Sequence, residues 1–141
     1  MVTVTNYGAP PFQPGMTSDA FIPDQLVAGD LKIVTDTITI VSGAGALKRG
    51  TVLGKITASG KYTTALDASE DGSETPAAIL VDDVDATSAD KTAGIYRQIE
   101  VNGNALILGT GITLAAAKAA LEADASTNIY VKTPVSAADP T

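Results

Sequence analysis

The acidic side chains are the residues of this sequence whose types and spacing could do chemistry. Eight of the sixteen acids lie between Asp67 and Asp90, in a segment that contains no Lys or Arg. Its first part, Asp67 to Gly72, is spaced like the opening of a calcium-binding loop, but Ala78 stands where the closing bidentate Glu should be. The segment therefore predicts a solvated loop and no metal site.

A second acidic group follows the apolar run from Ala77 to Val81 and consists of Asp82, Asp83 and Asp85. Paired carboxylates at such spacing could serve as general acid and base or could bind a metal ion. An acidic turn at the end of a buried strand is the commoner cause, because charged side chains are rarely buried. We therefore interpret these three residues as a turn.

Other catalytic chemistries lack the residues they need. The 141-residue chain has no Cys and no His, which excludes disulfides, thiol and imidazole catalysis and the usual zinc sites. Two glycine pairs fail as nucleotide-binding motifs, since Lys48 and Leu114 stand where the third Gly should be. We expect no cofactor and no enzymatic activity.

Charge and hydropathy disfavour two kinds of partner. The formal net charge of −7 disfavours nucleic acid, whose phosphates are anionic. No apolar run reaches the length of a membrane span, and the amino terminus lacks the basic-then-apolar layout of a signal peptide. The sequence thus predicts a soluble protein that is made in the cytoplasm and does not bind a membrane.

The first 29 residues form an arm that differs in composition from the rest of the chain. Its first charged side chain is Asp19, and it holds four of the seven prolines. One interpretation is a flexible tail. The alternative, which we favour, is a docking arm that becomes ordered on a partner, because a solvated tail usually carries more charge. The candidate contact residues are the alternating Val2, Thr3, Val4 and Thr5 and the large side chains Tyr7, Phe12, Met16 and Phe21.

Residues 30–141 are predicted to form a compact β-rich domain. Short β-branched runs between glycine-rich turns predict strands, and the alanine-rich stretch from Thr113 to Asp124 predicts one helix with Thr113 as its cap. The expected fold class is β-rich α+β, a small compact sheet or partial barrel with one principal helix, preceded by the extended amino-terminal arm.

Two details of the strands are expected to be distinctive. The run from Leu31 to Val41 is predicted to be the first core strand. Its apolar residues change from one face of the strand to the other partway along the run (the apolar phase slip), which a bulge near Thr35 or burial on both faces would explain. The sequence Asn102-Gly103-Asn104 between two apolar runs is a hairpin signal, because Asn and Gly accept positive φ angles.

The stretch from Leu47 to Tyr62 is the part around which the domain is organised. Gly50 is expected to adopt positive φ at a strand entry, and Gly54 is expected to permit a bulge or a close approach. With Arg49, Thr51, Val52 and Leu53 these two residues make an R-G-T-V-L-G segment. Followed by Gly-Lys-Tyr at 60–62, an acidic loop and P-A-A-I-L-V-D-D-V-D-A at 76–86, it resembles the lambda-type bacteriophage head decoration proteins from about residue 30 to 101.

This resemblance implies a structural role. Proteins of that family are cement proteins that sit as homotrimers at threefold positions on the outer surface of the expanded phage head. There they would clamp neighbouring subunits of the major capsid protein against internal DNA pressure. The alternative is a non-capsid virion or surface β-module, such as a baseplate or carbohydrate-binding domain. The absence of Trp and the scatter of only four Tyr residues disfavour a sugar-binding platform.

Overall fold

The computed structural model describes residues 25–133. Within this part eight strands and one α-helix follow in chain order: β1 (Val34–Ile40), β2 (Ala46–Leu47), β3 (Val52–Lys55), β4 (Tyr62–Thr64), β5 (Pro76–Ile79), β6 (Val84–Asp85), β7 (Lys91–Asn102), α1 (Leu114–Ala123) and β8 (Asn128–Lys132). A short 3-10 turn, Gly103–Ala105, follows β7. The expected fold class, β-rich with one principal helix, is confirmed.

Six strands form one curled sheet in the order β5-β3-β4-β1-β7-β8, and β2 pairs with β6 in a small second ribbon. The larger sheet curls into a half-barrel, because the chain after β5 returns to β7. Leu80 bridges Ile95, and the Val81 N–H donates to the Gly94 carbonyl at 3.0 Å. Strand β7 therefore contacts neighbours along its whole length, with β1 antiparallel on one side and β8 parallel on the other.

Two groups of buried side chains form the core. The first lies between α1 and the sheet, where Leu121 of the helix packs with Ile99, Ile129 and Val131 of β7 and β8. The second fills the inside of the curl and includes Ile40, Leu53, Tyr62, Leu80 and Ile95. Most of these side chains are aliphatic, as a sequence with 4% aromatic residues requires.

The helix lies where the alanine-rich stretch predicts it. Thr113 is its N-cap, and the Thr113 hydroxyl accepts the Ala116 N–H at 3.2 Å. Ala117 and Leu121 are its buried residues, a narrow stripe that allows close packing on the sheet. The helix makes the crossover that parallel pairing of β7 and β8 requires.

The hairpin expected at Asn102-Gly103-Asn104 does not form. The Asn102 side chain instead accepts the Asn104 N–H at 3.0 Å and starts the 3-10 turn. Gly103 does not have positive φ, and it packs closely on the helix, since a Cβ there would lie 3.0 Å from Leu114 Cδ1. The expected hairpin turn is therefore replaced by a 3-10 turn that the Asn102 side chain caps and that packs closely on the helix.

The first strand was predicted to be a core strand, and this is wrong for most of its length. Strand β1 does carry the expected bulge, which lies between Val34 and Thr35. Burial on both faces, the other explanation considered, does not occur: residues 34–37 and 39 are exposed and only Ile40 is fully buried. The apolar phase slip marks a strand that leaves the core, since Ile33 and Val34 remain 44% and 42% exposed.

Candidate functional site

Arg49, the first residue of the R-G-T-V-L-G segment, joins three parts of the fold. Its Nη1 donates to the Val81 carbonyl at 2.7 Å and to the Tyr96 hydroxyl, and the guanidinium lies 5.6 Å from the centre of the Tyr96 ring. The Arg49 backbone N–H donates to Asp83 Oδ1 at 2.8 Å. Arg49 therefore links the strand entry to β7 and the end of β5 through Nη1, and to the acidic turn through its backbone N–H.

Gly50 follows in the backbone conformation that the sequence predicts, with φ of 85°. Its N–H donates to the Leu80 carbonyl at 3.0 Å, and its carbonyl accepts the Ile107 N–H at 3.0 Å. A Cβ at this position would lie 3.3 Å from the Ala105 carbonyl oxygen. Gly50 therefore lets the chain turn between two segments that approach it from opposite sides.

The rest of the segment enters the sheet as β3. Thr51 is buried, and its hydroxyl donates to the Lys48 carbonyl at 2.6 Å. Val52 and Leu53 are fully buried. At Gly54 the pairing with β5 shifts register, and a Cβ would lie 1.9 Å from the Ser73 carbonyl oxygen. All six residues thus position strands, and none of them is a catalytic group at a pocket.

The acidic turn after β5 is organised by the same segment. Lys48 Nζ and Asp83 Oδ2 form an exposed ion pair at 2.9 Å. Hydrogen bonding from the Lys48 ammonium, supported by the Arg49 N–H, lowers the pKa of Asp83 below its ordinary value. The same contact raises the pKa of Lys48. Asp83 therefore acts as an anchor that holds this turn against the start of β3.

Other carboxylates of the acidic segment cap their own loops. Asp71 accepts the Ser73 hydroxyl and backbone N–H, which lowers the pKa of Asp71. Asp85 accepts the same two groups of Thr87, which lowers the pKa of Asp85. No cluster of three metal-binding side chains occurs among residues 25–133. The structure places Asp71 in a loop and Asp82 and Asp83 in the turn after β5, whereas Asp85, which was predicted to belong to that turn, lies in β6.

A shallow groove of about 260 Å³ lies over the β2–β6 ribbon and is lined by Ala46, Leu47, Lys48, Asp83, Val84 and Asp85. The Lys48–Asp83 ion pair is part of this lining. Each charged group in this lining already has a partner within the chain. Lys48 and Asp83 pair with each other, and Asp85 accepts the Thr87 N–H. The groove therefore has the character of a surface depression beside a structural ion pair.

The outer edge of β1 is the feature that sequence reasoning missed. Strand β1 pairs with β7 along its length, but on its other side it meets β4 only through the pair Ile40–Tyr62. Residues 34–39 therefore present one backbone edge that no strand of the described chain covers. The signal in the sequence was the apolar phase slip at Ile33 and Val34.

The predicted arm contacts, Val2, Thr3, Val4, Thr5, Tyr7, Phe12, Met16 and Phe21, lie outside the described residues. The chain that follows them lies against β7. Leu26 is buried in the core, Val27 bridges Val101, and the Ala28 N–H donates to the Glu100 carbonyl at 2.9 Å. The arm thus enters the compact domain beside the beginning of β1.

Across residues 25–133, no helix is long and apolar enough to cross a membrane. The described chain is a curled β-sheet with one helix. Arg49, Gly50 and Gly54 position the strands of this sheet.

That class of small structural β-module has a match among known protein families. Residues 16–129 match the model of the family described as bacteriophage lambda head decoration protein D. Because the match covers most of the 141 residues, the chain belongs to this family, which confirms the resemblance seen in the sequence. Membership assigns it a structural role as a phage capsid decoration protein, located in the virion capsid. No curated protein matches the chain.

Proposed function

We propose that this protein is a cement that binds the outer surface of the expanded phage head and stabilises it against the pressure of packaged DNA. The observation that carries the proposal is the family match over residues 16–129. Its partner is the major capsid protein, and it sits as a homotrimer at threefold positions. It is made in the host cytoplasm and acts without catalysis, cofactor or metal.

The mechanism is thermodynamic linkage. A protein that binds the expanded lattice and not its ruptured form stabilises that lattice by mass action, by about 2.7 kcal/mol per site at a free concentration 100 times the dissociation constant. Contacts that span several capsid subunits add further gain, because the second contact forms at high effective concentration. Modest contacts repeated over a shell therefore suffice.

The arm is proposed to carry the attachment. Val2–Thr5 has the alternation of a strand that can add to an exposed sheet edge on the capsid protein. Tyr7, Phe12, Met16 and Phe21 are proposed to enter apolar pockets, where each buried aromatic contributes about 1.5–3 kcal/mol before the cost of ordering the arm. The compact domain, residues 30–141, is proposed to hold the arm at its position on the shell.

Binding at limiting protein concentration to expanded heads that lack the decoration protein tests this proposal. Deletion of residues 1–16 is expected to abolish or greatly weaken occupancy while leaving the melting temperature of the free protein nearly unchanged. Phe12→Ala should weaken occupancy less. Its matched control is Tyr130→Ala, which removes an aromatic side chain that is 51% exposed on β8. Normal occupancy by the deletion variant would assign the attachment to the compact domain instead.

Stabilisation and symmetry need their own measurements. Heads filled with DNA and decorated by the protein should resist heating and chelation better than undecorated heads, and equal release of DNA from both would contradict the cement role. Particle images should show density at threefold positions. Density at twofold positions would contradict the homotrimer.

A further inference from the structure

We infer that Glu100 is a positioning residue: its side chain holds the loop of residues 29–33 and so fixes the place from which the amino-terminal arm leaves the compact domain. The role of Glu100 in the loop stands on its contacts in the described chain. Its effect on attachment to the head rests on the proposed function of the arm.

The chain before β1 pairs with β7 in two pieces that a loop separates. Val27 pairs with Val101, and Val34 pairs with Gln98. Six residues separate Val27 from Val34, whereas only two separate Gln98 from Val101 on β7. The extra residues have no place in the pairing. Residues 29–33 therefore form a loop at the edge of the sheet.

The Glu100 carboxylate lies against this loop. Its Oε2 accepts the Leu31 N–H at 3.1 Å, and its Oε1 forms an ion pair with Lys132 Nζ of β8 at 2.7 Å. The Glu100 side chain is only 21% exposed. Hydrogen bonding from Lys132, supported by the Leu31 N–H, lowers the pKa of Glu100, so the ionised form that accepts both bonds is favoured. The carboxylate thus joins the loop to β7 and β8.

Gly29 leaves the space that the carboxylate occupies. A Cβ on Gly29 would lie 1.8 Å from Glu100 Oε2 and 2.9 Å from Glu100 Cβ. Gly29 does not have positive φ, so the position requires space and not an unusual backbone conformation. Gln98, also on β7, contacts the other end of the loop, because its Nε2 donates to the Lys32 carbonyl at 2.9 Å. Two side chains of β7 therefore hold the loop.

The root segment, residues 26–28, precedes the loop and is short. The Ala28 N–H donates to the Glu100 carbonyl at 2.9 Å, and the Asn102 N–H donates to the Leu26 carbonyl at 2.8 Å. The Leu26 side chain is buried in the core. So short a pairing is marginal in water, and an unrestrained loop beside it would gain conformational entropy on release. By ordering the loop, Glu100 keeps the root segment on β7.

An ordered root segment favours attachment through the arm. A segment that becomes ordered on binding loses conformational entropy, and this cost is smaller when the chain next to it is already fixed. The contacts of Glu100 thus reduce the cost of binding, although Glu100 need not touch the capsid protein. It acts through the loop and the root segment.

Residue-resolved amide exchange of the free, full-length protein tests the contact with the loop. Glu100→Met keeps the side-chain length but replaces both oxygens by a thioether, and it should speed exchange of the Ala28 and Leu31 amides by at least about tenfold. Glu100→Gln keeps one acceptor oxygen and should speed it less than about threefold. Unchanged exchange in Glu100→Met would overturn the inference.

The matched control lies at the other end of β7. Asp90 is also a carboxylate that accepts a backbone N–H, that of Ser42 at 2.8 Å, and pairs with a lysine, Lys61 at 2.6 Å. Asp90→Leu removes these contacts and should leave exchange of the loop unchanged. Gly29→Ala should release the loop as Glu100→Met does, since it displaces the carboxylate without replacing it. A slow loop in Gly29→Ala would contradict the role of the carboxylate.

A charge swap separates the loop contact from the ion pair. Glu100→Lys combined with Lys132→Glu restores a pair of opposite charges but offers the Leu31 N–H no acceptor from residue 100, so exchange should remain fast. Lys132→Gln removes the ion pair and leaves the carboxylate, and it should change exchange less than about threefold, because Lys132 is 50% exposed. Slow exchange in the swapped variant would assign Glu100 to the joining of β7 and β8 alone and overturn the inference.

Occupancy of expanded heads that lack the decoration protein tests the consequence for attachment. Glu100→Met and Gly29→Ala should raise the concentration needed for half occupancy by at least about threefold, whereas Asp90→Leu should not. Wild-type occupancy by a variant whose loop exchanges fast would overturn the positioning role. Failure of the proposed function is scored separately, as normal head occupancy by the variant that lacks residues 1–16.

Discussion

Gly54 and Ser73 are in backbone contact: a Cβ built on Gly54 would lie 1.9 Å from the Ser73 carbonyl oxygen and 2.5 Å from its carbonyl carbon. Gly54 is buried in β3, and the register of β3 with β5 shifts beside it. The loop of residues 66–75 therefore closes directly onto the strand, at a place where no side chain fits.

Gly54→Ala should consequently unfold much of this region. We expect it to lower the free energy of unfolding by more than about 3 kcal/mol, since the obstructing atoms are backbone and cannot rotate away. Gly94→Ala is the control, because a Cβ there meets Val81 at an ordinary 3.5 Å. Urea titration of both variants measures the difference. Equal stability would mean that residues 66–75 are not held against β3.

Gly50→Ala tests the strand entry. It adds the cost of a left-handed backbone conformation to a tight contact with the Ala105 carbonyl, for a total of about 2–3 kcal/mol. Gly43→Ala shares the positive φ, at 88°, but a Cβ there has nothing within 4 Å, so it should cost only about 1–2 kcal/mol. Chemical denaturation compares the two, and a smaller loss for Gly50→Ala would contradict the packing of residue 105 on the entry.

Arg49→Lys should destabilise the protein although it keeps the positive charge. A lysine side chain is shorter and lacks the planar guanidinium that lies over the Tyr96 ring, so it cannot keep this contact and both Nη1 hydrogen bonds, each of which contributes about 0.5–1.5 kcal/mol. Lys48→Gln is the control, and it should be nearly neutral because its ion pair with Asp83 is exposed. Thermal melts in which Lys48→Gln lowers the melting temperature more than Arg49→Lys would contradict the view that Arg49 stabilises the fold and the Lys48 ion pair contributes little.

Acid should destabilise the fold through its carboxylates. Hydrogen bonds lower the pKa values of Asp36, Asp71, Asp83, Asp85, Asp90, Glu100 and Asp124 in the folded state. The unfolded state then binds more protons at low pH, so the stabilisation is complete above the ordinary carboxyl pKa values of about 4 and is lost as pH falls through the lowered ones. The melting temperature should be flat from pH 7 to about pH 5 and fall below about pH 4.

One carboxylate provides a check on that cause. Asp90 accepts Lys61 Nζ at 2.6 Å and the Ser42 N–H at 2.8 Å, and the Lys61 hydrogen bond lowers the pKa of Asp90 most. Asp90→Asn should shrink the acid-dependent loss of melting temperature relative to the wild type. A melting temperature that stays constant down to pH 3 in the wild type would contradict the carboxylate explanation.

Local signals predicted the elements whose formation depends on local chemistry. The helix followed from its alanines and the Thr113 cap. Gly50 was predicted to have positive φ because it follows a turn and opens a β-branched run. In each case the deciding interactions lie within a few residues in the sequence.

Non-local packing decided the features that sequence reasoning missed. Gly103 suggested a turn, but its role depends on Leu114, which packs on it from the helix. The exposure of β1 depends on where β4 leaves it after the single Ile40–Tyr62 pair. The two-residue strands β2 and β6 are far apart in the sequence and pair beside Asp83, which precedes β6 and accepts hydrogen bonds from Lys48 and Arg49, which follow β2. No pattern of nearby residues carries this information.

The pairing of β1 with β7 also sets an order of events during synthesis. Val34 pairs with Gln98 and Ile40 with Lys91, so the first strand must wait for a partner more than fifty residues later in the chain. Contacts of such sequence separation slow folding, because the loop must close before the pairing stabilises it. Until β7 leaves the ribosome, both edges of a β-branched strand are exposed in the nascent chain. During this interval the protein is most exposed to misassembly.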